Sequence, residues 1–282
     1  MITLFWSQIK KLKQIPASVL LASITILLFC FAAITAKFIS PLDPMEQNLL
    51  AVSQSSSDIY LLGTDELGRD VFSRLLAGSR GAIIGPFLIA LSGLIVSVIL
   101  GVLAGYRGGA LDNLVMRGVD FIVALPSLLL AIVVVSVTEG GYWMALLVLS
   151  VLNVQGDIRI VRGVTLEQRK LPYIESLRVV GVPRRRIMYK HIVPNISPIL
   201  IANFATDFAG ALVALSGLAF LGLGSQPGTP DWGRMLADGQ ASLFTNYWAA
   251  VSPAIAIILL AVSVNLIGDW VYDFYTKKSL QR

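Results

Sequence analysis

The chain reads as an all-α integral membrane protein of about six transmembrane helices, and three observations lead there. Its mean hydropathy is +0.77. Only 14% of its 282 residues are charged and 56% are hydrophobic, whereas soluble domains carry about a quarter charged residues. Six runs approach the roughly 20 apolar residues that one helical crossing of a ~30 Å hydrocarbon core needs. If those runs cross in turn, 17 of the 22 Lys and Arg residues fall on one side and 5 on the other. Basic residues collect on the cytoplasmic side, so the N- and C-termini are expected inside.

The first run, Ala17–Ala36, follows Lys10, Lys11 and Lys13. A signal peptide starts similarly, but its apolar region is only about 7–15 residues. This run is longer and ends at Lys37, so it is expected to stay as an anchor. Cys30 lies inside it as a small apolar residue. The segment Phe38–Ser79 is then external and rich in Ser, Pro and Asp, a cap too short for a domain of usual size. Within it Asp65, Glu66, Arg69, Asp70 and Arg74 interleave, which predicts a solvated, locally paired surface or a contact at the outer mouth.

The second run, Ala82–Gly105, carries Gly93, Ser97, Gly101 and Gly105 at steps of four, a stripe that lets another helix backbone approach closely. The third is Val119–Val137. The fourth, Tyr142–Val154, is short and has a soft end in Gln155–Arg159. Next comes the basic segment Tyr173–Pro194, YIESLRVVGVPRRRIMYKHIVP. Gly181 suits a left-handed helix C-terminus and Pro183 the first turn of the next helix, so the segment reads as helix, tight turn, helix at the inner membrane surface. The fifth run, Ile196–Leu223, leads into a Gly- and Pro-rich external re-entry, where Pro227 and Pro230 stiffen the chain and Trp232 suits an interfacial anchor. The sixth is Tyr247–Gly268. Asp120 and Asp269 sit near cytoplasmic span ends and are expected to pair there.

The fifth run is the least conventional. Asn203, Asp207, Gly210, Ala214 and Gly217 share one helix face, and Ile201, Phe204, Phe208, Leu212 and Leu215 take the opposite one. Asp207 lies about 11 residues from the inner end, or ~16 Å, near mid-membrane. A charge there costs on the order of 2.5–3.5 kcal/mol. Two readings stand: Asp207 and Asn203 line a translocation pathway and meet a substrate ammonium group, or Asp207 holds helices together.

Several classes are excluded. The net charge of +5 is explained by topology, so no nucleic-acid partner is expected. One histidine, His191, and one cysteine make no His/Cys metal cluster. No G-x-x-x-x-G-K-[ST] stretch occurs, so the chain does not hydrolyse ATP through a P-loop. No solenoid or inverted repeat is visible, which speaks against an ion-driven transporter or stand-alone channel. No nucleophile–base pair suggests an enzyme.

The Tyr173–Pro194 segment resembles the cytoplasmic coupling loop of permease subunits in binding-protein-dependent ABC importers. In that family a Glu-Ala-Ala triplet is followed by a Gly six residues after the Glu, then by Ile-x-Leu-Pro. Glu175, Gly181 and Pro194 fall on this pattern; Ser176 and Leu177 replace the alanines, His191 the Ile and Val193 the Leu. Gly63–Leu75, Leu125–Ala131, Phe220–Leu236 and Asn265–Asp269 are similar to the second-permease branch that serves peptides, opines and nickel. The resemblance implies a type I importer permease fold with a five-helix core over 82–273 and a cytoplasmic loop 157–194. A separate N-terminal region, residues 1–81, precedes the core, and a tail, 274–282, follows it.

It also implies a multi-pass protein of a prokaryotic plasma membrane, surrounded by lipid. Expected partners are a homologous second permease, two ATPase subunits that bind ATP and Mg, and an extracytoplasmic substrate-binding protein. No cofactor is expected in this chain. Glu175, Ser176, Gly181, Pro183, Arg184 and Pro194 would couple to the ATPases, and Arg184, Arg185 and Arg186 would meet acidic groups there or anionic lipid. Di- and oligopeptides are the expected substrates, with nickel or a metal-chelate or opine metallophore as the alternative.

Overall fold

The computed structural model describes residues 16–138, 141–224, 226 and 228–280. Lys10, Lys11, Lys13, Pro227 and Arg282 lie outside the described residues, as do the side chains of Lys277 and Lys278. The described residues form helices α1 (Ala17–Ile39), α2 (Val71–Arg107), α3 (Gly109–Val123), α4 (Ser127–Thr138) and α5 (Gly141–Gln168). The short α6 (Pro172–Val179), the long α7 (Arg184–Phe220), α8 (Trp232–Asp238) and α9 (Trp248–Leu280) follow.

Five helices are each long and apolar enough to cross a membrane, and the bent pair α3–α4 passes the same test when its two halves are taken together. With that pair as one span the number of crossings is six, in line with the charge distribution. Most helices outrun their apolar runs. Helix α2 begins at Val71 because Asp70 caps it, its carboxylate accepting from the Ser73 amide at 2.9 Å and the Ser73 hydroxyl at 2.6 Å. Satisfying an orphan amide in this way fixes a helix start. Helix α5 runs on to Gln168 because its cytoplasmic arginines find partners: Arg162 Nη2 holds Asp112 at 2.7 Å and Arg159 Nη2 holds Asp120 at 2.6 Å. Asp120 is thus an interfacial pairing group.

The third span departs from expectation. Val119–Val137 is not one helix: α3 and α4 meet at 76°. The cause is Pro126, which has no amide to donate and whose ring disfavours helical geometry at Leu125. The chain tightens there, with Leu125 N–H donating to Ile122 O at 3.2 Å, and restarts as Leu130 N–H donates to Pro126 O at 3.0 Å.

Helix α2 is the axis of the packing, lying against α1, α5 and α7. Its small-residue stripe does what close packing needs. A Cβ at Gly101 would sit 2.8 Å from Val161 Cβ, and one at Gly105 would sit 2.7 Å from the Arg162 carbonyl oxygen. One buried cluster joins Val71, Ala90, Phe208, Leu212, Trp232 and Leu260 of α2, α7, α8 and α9. The Phe208/Leu212 face of α7 is therefore core against protein and not against lipid. A second cluster, including Ile89, Ala131, Ala145 and Leu149, ties α4 and α5 to α2. Helix α1 stays largely exposed, with Leu27 at 67%, as befits a helix facing lipid.

The external segment 40–70 corrects a second expectation. Four of the five interleaved charges are buried, not solvated: Asp65, Arg69, Asp70 and Arg74 are at most 5% exposed, and Glu66 alone is exposed. Arg69 bonds Asp65 at 2.7 Å and Asp238 at 3.1 Å, while Arg74 Nε lies 3.5 Å from Asp65. Arg74 Nη1 also donates to the carbonyls of Pro44 at 3.1 Å and Gly228 at 3.0 Å. Gly68 has φ +70°, and a Cβ there would stand 1.8 Å from the Asn48 carbonyl oxygen, so the turn that delivers Arg69 admits only glycine. Asn246 Nδ2 binds the carbonyls of Leu62 at 2.9 Å and Thr64 at 3.0 Å. The cap is thus stapled to α8 and to the start of α9.

Trp232 is likewise no interfacial anchor. It is 1% exposed, meets the Phe29 ring edge-on at 5.1 Å and donates its indole N–H to Leu75 O at 2.9 Å. Gly233 packs where a Cβ would be 2.2 Å from the Ser216 carbonyl oxygen, so the chain does re-enter against α7.

Candidate functional site

Because α3 turns away from α4 at Pro126, a gap opens opposite α5 and α7. The resulting pocket has a volume of about 360 Å³, and its polar lining includes Ser127, Asn153, Asp157, Asn203, Thr206 and Asp207. Asn203, Thr206 and Asp207 come from one face of α7, and Asn153, Gly156, Asp157 and Ile160 from one face of α5, at the helical steps of three and four. Gly93 of α2 forms the back. A Cβ there would be 3.2 Å from Asp157 Oδ2 and 3.9 Å from Asp207 Oδ2, so the two carboxyls converge on one glycine and interact.

The electrostatics are one-sided. Nothing cationic lines the pocket. Gln155 Oε1 and Asn203 Nδ2 are buried without a hydrogen-bond partner, and Asp157 Oδ2 has none beyond the facing Asp207 carboxyl. A buried polar atom left unpaired costs about 1–3 kcal/mol, and such costs persist where a ligand or water supplies the missing partner. Chemically the pocket offers carboxyl and amide oxygens at mid-span to a donor such as an ammonium or an amide N–H, and the Asn203 amide N–H group to an acceptor such as a carbonyl. Around it Gly156, Gly210 and Gly217 face open space. No atom of a neighbouring helix comes within 4 Å of a Cβ placed at any of these three glycines.

Asp207 and Asn203, both expected from the sequence, are therefore together in the pocket. Asp157 is an addition. The apolar run ends at Val154, which assigns Asp157 to the cytoplasmic loop; the phase of Asn153, Gly156, Asp157 and Ile160 is the signal that could have placed it. Among the described residues no group of three or more His, Cys, Asp and Glu could hold a metal ion.

The second candidate element is the segment that follows α5. The expected loop 157–194 is almost all helix: the end of α5, then α6, then the start of α7. Helix α6 ends in a Schellman turn, with Val182 N–H donating to Leu177 O and Gly181 N–H to Arg178 O, each at 3.0 Å. Gly181 takes φ +79°, the left-handed conformation that closes this motif. Pro183 falls one position earlier than expected, at the N-cap, where its carbonyl accepts from Arg186 N at 2.8 Å and Ile187 N at 3.1 Å. Pro194 also shapes the helix. It cannot donate to the carbonyl four residues back, so Val193 N–H reaches five residues to Met188 O, and Ile187–Ile192 form a π-helical turn. His191 sits within that turn.

Ile174, Ile187, Met188 and Ile192 are buried against Val102, Tyr106 and Val161, which moors α6 to the inner ends of α2 and α5. The outward face is left free. Glu175, Ser176, Gly181, Pro183, Arg184 and Pro194 are all exposed, with Val179 at 83% and Val180 at 80%. The Ser176 hydroxyl is turned inward to Pro172 O at 3.1 Å. Exposed aliphatics ringed by charge are what a protein interface presents.

The profile of the family described as "Binding-protein-dependent transport system inner membrane component" matches residues 97–280, which hold both the pocket and α6. The dipeptide transport system permease protein of Haemophilus influenzae is 33% identical over 283 residues, covering 98% of this chain and 95% of that one. The glutathione transport system permease protein of Pectobacterium atrosepticum is 33% identical over 253 residues, covering 89% and 84%. The di/tripeptide transport system permease protein of Pseudomonas aeruginosa is 35% identical over 257 residues, covering 88% and 84%.

Proposed function

Because the chain belongs to the family of binding-protein-dependent transport system inner membrane components, a multi-pass permease of a prokaryotic plasma membrane, we propose that it forms half of the pathway by which di- and oligopeptides enter the cell. A homologous second permease covers the open face of α5 and α7 and supplies the other half. Two ATPase subunits bind ATP and Mg and dock on the outward face of α6. A substrate-binding protein delivers from outside. Peptide is favoured over nickel or a metal chelate because the relatives named above are permeases for dipeptides, di- and tripeptides and glutathione.

One observation carries the reading: a mid-span pocket of about 360 Å³ bearing Asp157, Asn203 and Asp207 without a basic partner. A peptide brings an ammonium terminus and amide N–H groups for the Asp157 and Asp207 carboxyls, and carbonyls for the Asn203 amide N–H group. Closure of the ATPase pair is passed through Glu175, Ser176 and Arg184, while Gly181, Pro183 and Pro194 set the angle between α6 and α7. The core cluster under α6 carries that motion to α2 and α5.

The test is uptake of a labelled dipeptide by the complete importer in vesicles, with ATP supplied on the cytoplasmic side. Asp207→Leu should insert and assemble yet lose most uptake, and Asp207→Asn should lose less, because it keeps an acceptor. Normal uptake by Asp207→Leu, with the complex less resistant to detergent, would show a residue that only holds helices together.

A further inference from the structure

On the cytoplasmic side, the ends of α2, α5, α6 and α7 enclose a cavity of about 420 Å³ into which Arg107, Arg169, Arg178 and Arg184 converge beside Tyr106. Two of the four are braced from behind. Arg169 Nη1 donates to the carbonyls of Gly105 and Tyr106, both at 3.1 Å. Arg178 donates from Nε to the Tyr106 hydroxyl at 3.3 Å, and its guanidinium carbon stands 5.1 Å from the centre of that ring. Each guanidinium has five N–H donors, so these anchors leave most of them unused.

No acidic residue lines the cavity, and among the described residues none of the four arginines stands in an ion pair. Asp112, which feels the charge of Arg169, is already engaged by Arg162 Nη2 at 2.7 Å. Four like charges around one concavity repel one another, and a bound anion relieves that repulsion.

We propose that this cavity is a phosphate-binding site that takes the headgroup of an anionic lipid of the inner leaflet. Depth favours the lipid. Arg107 lies two residues beyond the apolar run Ala82–Gly105, ~3 Å past its end along the helix, which is the headgroup layer. Chemistry favours phosphate, since the planar fork of arginine pairs with phosphate oxygens through parallel charge-assisted hydrogen bonds. Shape favours a small headgroup over a protein surface, because the site is a recess, while the protruding face of α6 carries Glu175, Val179 and Val180. Arg178 and Arg184 flank the Gly181 turn, so a bound headgroup ties the docking helix to the end of α2.

The test uses the complete importer in nanodiscs of phosphatidylcholine alone or of an equal mixture with phosphatidylglycerol. Retained lipid is counted by native mass spectrometry. Wild type should retain phosphatidylglycerol through delipidation, and Arg107→Gln/Arg178→Gln should retain about tenfold less. Arg107→Lys/Arg178→Lys, which keeps charge but loses the fork, should fall between. Arg107→Gln alone, at an exposed position with no internal hydrogen bond among the described residues, repeats the test where the double variant fails to assemble. Equal retention by wild type and the Gln variants overturns the site. Displacement of the lipid by millimolar inorganic phosphate assigns the cavity to free phosphate and overturns the lipid. Loss of ATPase subunits with lipid retention unchanged gives the cavity to a protein partner and overturns it too.

Discussion

The external cap and the mid-span pocket both take carboxylates out of water, and they treat them oppositely. In the cap Asp65 faces two arginines, Asp238 caps the far end of Arg69, and backbone carbonyls take up Arg74 Nη1, while Arg74 Nη2 and Asp70 Oδ1 stay unpartnered. In the pocket Asp157 and Asp207 face each other and Asn203, with no cation in reach and buried polar atoms left open. The contrast is one of charge: opposite charges meet in the cap, while only carboxyls meet in the pocket. The difference shows that burial alone does not tell two polar clusters of one chain apart.

The largest effect on the folded protein should come from the cap. Asp65→Ala would leave Arg69 and Arg74 buried without that carboxylate, and breaking such a network costs about 3–5 kcal/mol. The unfolding midpoint and the amount of assembled permease should fall together, with uptake falling in proportion. An unchanged midpoint would mean the cap's charges are not held as described.

Gly181→Val should come next. A β-branched residue at φ +79° is strained by about 1–3 kcal/mol, which displaces α6 without stopping membrane insertion. The permease should be present at normal amounts, with uptake lost and ATPase subunits either absent or hydrolysing without substrate. Full uptake at normal expression would remove α6 from the coupling path.

Straightening the broken span perturbs stability less, by about 1 kcal/mol or under. Pro126→Ala restores an amide and lets α3 and α4 join. Spin labels at positions 118 and 133 should then move apart, and uptake should drop as the pocket loses one wall. Unchanged label distances would show that the bend has another cause.

A pH profile gives the finest contrast. Burial pushes the Asp231 carboxyl up, against the pull of the Arg234 and Gly233 amides. The folded protein therefore holds that proton more tightly than the unfolded chain. Stability should fall as pH rises from below the ordinary Asp value up through the raised one, and then level off. Asp231→Asn, which keeps the acceptor for Arg234 N–H, should flatten that region of the profile. A slope unaltered in the variant would assign it to another group.

What is legible in the sequence follows from how far each signal reaches. The six apolar runs, the Gly181–Pro183 turn and the packing stripe of α2 are local patterns, and each appears in the fold. The bend at Pro126 escapes such a reading, because hydropathy averaged over a span ignores direction. The cap's burial escapes it too: Arg69 and Asp238, or Arg74 and Gly228, are far apart in the chain and meet only once α8 folds back onto α2. Trp232 is misjudged for the same reason, since its partners Phe29 and Leu75 come from α1 and α2. Asn203 and Asp207 can be phased on α7 because the apolar run surrounds them. Asp157 is missed because its own run stops three residues short.

The most direct measurement of the central claim is the double variant Asp157→Asn/Asp207→Asn, assayed for both unfolding and uptake in one preparation. The account predicts an unfolding midpoint equal to or above wild type, since two buried carboxyls are replaced by uncharged groups of the same shape. Labelled dipeptide uptake should meanwhile fall about tenfold or more, a rise of about 1.4 kcal/mol in the translocation barrier. A variant that unfolds earlier yet transports peptide at the wild-type rate per assembled complex would contradict it.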